Sequence, residues 1–162
     1  MERKKAYGPY EAFMLGLDLE EAGRVFYSRV ADSVTDFRVK DLFRHLAQAE
    51  VEHKRVIREE IEPSFVHEWY REEDQQLMAE YLHDVEKQPV FPDPEDAEHY
   101  ARLTKDPAHA LDIGIRAEKK SIDYYVFLRD ATQDAEGKEA FERLRREEVK
   151  HLELLQNLKK EL

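Results

Sequence analysis

Apolar residues recur at three- and four-residue intervals through most of this chain, and β-branched runs are few, so the pattern is that of amphipathic helices. From about Pro9 to Val34, Phe13, Leu17, Tyr27 and Val30 share one helical face, and Glu20 lies on that face with them. Thr35 and Asp36 are N-cap residues for a second helix, which carries Leu42, Leu46, Glu50, His53 and Ile57 on one stripe to about Pro63. A long crossover follows between Pro63 and Pro107, holding Pro89, Pro92 and Pro94 and one short helix from about Tyr70 to Lys87. The third long helix starts with Asp106 as N-cap and Pro107 at its first position and runs to about Ala131. A fourth follows a turn near Asp134 and continues to the C-terminus. The expected fold is therefore all-α, with a crossover long enough to let helices two and three lie parallel.

Composition narrows the functional classes. A length of 162 residues predicts a single domain over residues 1–162, which buries roughly two-thirds of its unfolded surface. The net charge of −11 argues against nucleic acid and anionic membrane as partners and favours attraction of cations. With 0 Cys there is no thiolate nucleophile and no Cys-ligated zinc or iron–sulfur centre, so any metal must sit on Asp, Glu and His. No stretch approaches the ~20 apolar residues of a membrane span, and a cytoplasmic location is the expectation.

Against this background one pattern occurs twice. Glu20 is followed thirty residues later by Glu50-Val-Glu-His53, and Glu118 thirty residues later by Glu148-Val-Lys-His151, the halves being offset by 98 residues. The same offset lays Gly16 on Gly114, Tyr27 on Tyr125, Phe43 on Phe141, Leu46 on Leu144 and Val51 on Val149. A duplicated helix pair explains this register, and it predicts a pseudo-twofold bundle in which each pair supplies half of one central site. Glu80-Tyr-Leu-His83 is a third Glu-x-x-His with no matching half, and it reads as a solvated surface pair. Glu21, Glu52, Glu72, Glu73 and Glu147 likewise read as solvated charges on a glutamate-rich chain.

The six residues in register resist that reading. Four carboxylates on the inward faces of packed helices repel one another and lose hydration, at several kcal/mol each if unpaired. Two divalent ions would balance them, with two imidazoles completing the shell, and a Glu plus a Glu-x-x-His from each helix pair is how two-metal sites are built in four-helix bundles. Residues at i and i+3 sit on adjacent turns of one face, which makes Glu50 and Glu148 candidate bridging ligands. Glu20 then caps the ion held by His53, and Glu118 the ion held by His151. Carboxylate-rich sites with few imidazoles suit iron first, with manganese or zinc as alternatives. Tyr27 and Tyr125, seven residues beyond their glutamates, are either hydrogen-bond partners of ligands or ordinary core residues. Gly16 and Gly114, one turn before Glu20 and Glu118, either open a path for a small oxidant or allow close helix packing.

From about Tyr10 to Leu155, through Glu20, Glu50, His53, Glu118, Glu148, His151 and the two glutamate-to-tyrosine offsets, the chain resembles the ferritin-like di-iron carboxylate proteins and is most similar to their rubrerythrin-like branch. The resemblance implies a ferritin-like four-helix bundle with a di-iron centre that reacts with peroxide or dioxygen, in a homodimer or larger assembly. Rubrerythrins with peroxidase activity typically carry a further glutamate three residues after the third-helix ligand, and here that position is Ser121. They also carry a rubredoxin domain with four cysteines, so a separate partner is the expected electron donor here. The expected function is a di-iron oxidoreductase that reduces hydrogen peroxide or dioxygen. The alternatives are a ferroxidase or iron-storage protein and a redox-silent, metal-stabilised bundle.

Overall fold

The structure is a computed structural model that describes residues 9–61 and 75–162. The expected end of the second helix at Pro63, the expected start of the crossover helix at Tyr70, and Glu72 and Glu73 lie outside those residues.

Six α-helices and no strand make up the described residues: α1 (Pro9–Ser33), α2 (Phe37–Val56), α3 (Gln75–Lys87), α4 (Ala97–Lys105), α5 (Pro107–Ala131) and α6 (Ala135–Glu161). Short aspartates start four of them. Asp36 accepts from the backbone N–H groups of Arg38 and Val39, Asp96 and Asp106 accept from His99 and His109, and Asp134 accepts from Gly137, each satisfying N–H groups that the helix leaves orphaned. At its far end α2 widens into a π-helical turn, Ile57–Ile61, that buries both isoleucines.

The helices pack as two antiparallel pairs, α1 with α2 and α5 with α6, and α2 lies against α6. The core falls into two apolar clusters, and the helix ends that each contains define the topology. One holds Ala12, Phe13 and Leu17 of α1, Val56 of α2, Tyr124 and Leu128 of α5 and Ala140 and Leu144 of α6, closed by Met78 and Leu82 of α3. The other holds Phe26 and Val30 of α1, Val39 and Phe43 of α2, Ala110 and Ile113 of α5 and Leu155 and Leu158 of α6, closed by Tyr100 and Leu103 of α4. Thus α2 and α5 run the same way, as the long crossover requires.

The crossover departs from expectation by holding a second helix. α4 is only nine residues long, too short to be stable alone, and it forms by laying Tyr100 and Leu103 against α1 and α5. Phe91, just before it, meets Phe26 at a ring-centroid distance of 4.9 Å. Proline-rich sequence therefore conceals a wedge that fills the gap between α1 and α5.

Candidate metal centre

Between the two apolar clusters each long helix contributes polar residues at mid-length. Glu20, Glu50, His53, Glu118, Glu148 and His151 are all buried, at 0% to 6% exposure. The periodicity that places Phe13 and Val30 inward also turns Glu20 inward, and the same holds for the other five. Their ligand atoms fall into two groups, Glu20, Glu50, His53 and Glu148 in one and Glu118, Glu148 and His151 in the other, with the atoms of each group within 4.8 Å of one another. Glu148 therefore belongs to both groups, whereas Glu50 belongs to the first alone.

Both imidazoles aim Nδ1 at carboxylates. His53 Nδ1 lies 3.3 Å from Glu20 Oε2 and 3.1 Å from Glu148 Oε1, and His151 Nδ1 lies 3.2 Å from Glu148 Oε2 and 3.9 Å from Glu118 Oε1. The two rings stack with centroids 5.5 Å apart. The tyrosines cross between halves: Tyr27 of α1 donates to Glu118 Oε1 at 2.9 Å, and Tyr125 of α5 donates to Glu20 Oε1. Each phenol thus holds the glutamate of the opposite helix pair, and burial among carboxylates keeps both phenols protonated.

Charge in this layer is unbalanced in a way that fits metal ions. Burial, then the neighbouring carboxylates, pushes Glu50 and Glu118 well above the ordinary carboxylate range. Burial opposes ionisation of Glu148 as well, but Glu118 beside it and the two histidines hold it below that range. For His53, burial disfavours the imidazolium, yet Glu20, Glu148 and Glu147 outweigh it and raise its affinity for a proton. Protons thus occupy places where cations are wanted. Glu118 Oε2 is buried without a hydrogen-bond partner, and Glu148 Oε1 meets His53 Nδ1 at 3.1 Å without hydrogen-bond alignment; such under-satisfied buried acceptors are rare unless something coordinates them. Gly23 makes room for a third group, since a Cβ there would stand 3.0 Å from Glu50 Cδ and 3.2 Å from its Oε1. The donors present fit two divalent ions, with oxygen and imidazole ligands and no thiolate.

Other expectations resolve differently. Gly114 is a close-packing glycine, for a Cβ there would meet Leu155 at 3.3 Å and the Tyr27 ring at 3.4 Å. At Gly16 a Cβ would meet the Tyr124 ring at 3.5 Å, an ordinary contact. Glu21 pairs with Arg24 and Lys54 and Glu52 with Arg55, both at the surface. Glu80 is exposed and accepts from Gln76, and it joins no metal-binding group among the described residues. Glu147 corrects the surface reading, because its Oε2 lies 2.7 Å from His53 Nε2. Its sequence neighbours carry no sign of this, since the contact exists only because α6 packs on α2. Ser121 lines an apolar cavity of about 560 Å³ between α1, α5 and the crossover, with Leu19, Ala22, Phe91 and Ala117.

A bundle of two antiparallel helix pairs joined by a crossover, with a carboxylate–imidazole layer at its centre, is the architecture of the ferritin-like proteins. The rubrerythrin family model matches residues 11–159, and the chain belongs to that family. In fold it is similar to the crystal structure of a two-domain protein from Anabaena variabilis ATCC 29413 containing DJ-1/ThiJ/PfpI-like and ferritin-like domains, with a TM-score of 0.59 at 12% identity. The similarity covers 96% of this chain and 40% of that protein. No curated protein matches the chain. Among the described residues no helix is long and apolar enough to cross a membrane.

Proposed function

We propose that this protein is a di-iron carboxylate oxidoreductase that reduces hydrogen peroxide or dioxygen, taking electrons from a separate donor and working in the cytoplasm as a homodimer. The observation that carries the reading is the buried pair of donor groups sharing Glu148, enclosed at both ends by apolar clusters. Glu20, Glu50, His53 and Glu148 would hold one ion, and Glu118, Glu148 and His151 the other. When bound there, two ferrous ions supply the pair of electrons that turns peroxide into water. The chain's own residues position and balance charge. Tyr27 and Tyr125 fix the carboxylates of Glu118 and Glu20 by donating to one oxygen of each, leaving the second oxygen for coordination.

The test is metal content of protein purified without chelators, followed by anaerobic ferrous loading and comparison of oxidation by peroxide and by oxygen. Two irons per chain, oxidised faster by peroxide, is the expected result. Uptake continuing beyond two irons with oxygen as oxidant would replace this reading with iron storage. Redox-silent zinc in the native protein would replace it with a metal-stabilised bundle.

A further inference from the structure

We propose that Glu147 widens the inequality of the two metal positions beyond their difference in donor number, by fixing the His53 imidazole with Nδ1 turned toward Glu20 and Glu148; this rests on the metal-centre reading above. His53 is fully buried, and its two nitrogens face different partners. Nδ1 faces the two ligand carboxylates, and Nε2 faces Glu147 Oε2 at 2.7 Å. A proton on Nε2, donated to Glu147, leaves the Nδ1 lone pair pointing into the site, which is the form a metal ion needs. A carboxylate acceptor behind the ring also makes the imidazole a stronger donor.

The other half lacks this device. His151 presents Nδ1 to Glu148 and Glu118 in the same manner, but among the described residues no carboxylate pairs with its Nε2. The position in register with Glu147 in the first helix pair is Ala49, whose methyl group carries neither charge nor hydrogen-bonding atom. What stands near the His151 ring instead is His45, perpendicular at a centroid distance of 6.1 Å. The two imidazoles therefore sit in different settings, one locked by a charge and one without. Glu147 acts through His53 and is a positioning residue. Its side chain is 43% exposed, so replacing it leaves the core packing intact.

Stepwise titration of the metal-free full chain with Co²⁺ under anaerobic conditions, read by absorbance and by chelator competition, resolves the two constants. Wild type should show two unequal steps. Glu147→Gln keeps an acceptor without the charge and Glu147→Leu removes both; each should weaken the tighter step about 10- to 100-fold and leave the weaker step within about twofold. Ala49→Glu, which places a carboxylate at the register position that lacks one, should tighten the weaker step and so narrow the difference. Imidazole ¹⁵N spectra of the loaded protein should show His53 as the Nε2–H tautomer in wild type. Equal constants in wild type, or Glu147 variants that change neither step or weaken both alike, would overturn the proposal while leaving the metal centre standing. Failure of wild type to bind Co²⁺ at all would overturn the metal-centre reading and this proposal with it.

Discussion

In the first helix pair Glu50 sits against the bare backbone of Gly23, and His53 is held from behind by a carboxylate of the opposite pair. The register partners of those two supports, Gly23 and Glu147, are Ser121 and Ala49, and His151 has a neighbouring imidazole instead. The six carboxylate and imidazole positions repeat at the 98-residue offset, and these two supports do not. Residue type and spacing bring the donor groups together; the residues behind them differ between the two halves, so the two imidazoles are not held alike. The crossed tyrosines are the exception, a support preserved in both halves.

The largest effect separates the two candidate bridging residues. Because Glu148 belongs to both donor groups and Glu50 to one, Glu148→Ala should abolish binding of both ions. Glu50→Ala should lose at least the ion of the His53 group, and Glu80→Ala should leave two ions in place. Metal analysis after gel filtration reads all three, and retention of two ions by Glu148→Ala would break the comparison at its root.

Next comes the pH dependence of stability with and without metal. In the metal-free protein Glu50, Glu118 and His53 bind protons more tightly when folded than when unfolded. The folded state then carries more protons than the unfolded chain from about pH 4.5 upward, and its stability falls as pH rises. Glu148 has the opposite sign, since its lowered pKa contributes stability that is lost on acidification, but three groups oppose one. The Tm of chelated protein should therefore decrease between about pH 5 and 8. In metal-loaded protein the ions compete with protons and the trend should reverse. Parallel Tm curves with and without metal would mean that the buried carboxylates are not where cations bind.

Removing the crossed phenols tests the preserved support. Tyr27→Phe and Tyr125→Phe should each destabilise the protein by about 1–3 kcal/mol, the range for a buried hydrogen bond to a carboxylate. The two costs should be similar, as measured by urea unfolding, and a large disparity would extend the inequality of the halves to this feature. The smallest effect is expected at Glu21, whose partly exposed pairing with Arg24 and Lys54 should contribute no more than about 1 kcal/mol. Glu21→Ala should leave metal affinity unchanged.

Much of this molecule follows from spacing along the chain. The long helices, the caps at Asp36 and Asp106, the turn near Asp134, and the inward register of Glu20, Glu50, His53, Glu118, Glu148 and His151 were readable because helical geometry is local: residues three and four apart share a face wherever the helix goes. α4 was not readable, since a nine-residue segment after three prolines becomes a helix only with α1 and α5 beneath it. Glu147 was hidden for a related reason. Its own helix marks it as a flanking, half-exposed position, and only the approach of α2 brings His53 Nε2 within 2.7 Å of it.

By itself, then, the sequence determined which residues face inward and that the two halves repeat, because both depend on intervals of a few residues and on a constant offset. The tertiary structure alone decided which half each tyrosine serves, that Glu148 and not Glu50 is shared between the donor groups, and that one histidine has a charge behind it. The tyrosine and Glu147 contacts join residues 91 to 105 positions apart, and no local periodicity specifies which side chains meet when two helix pairs close on each other.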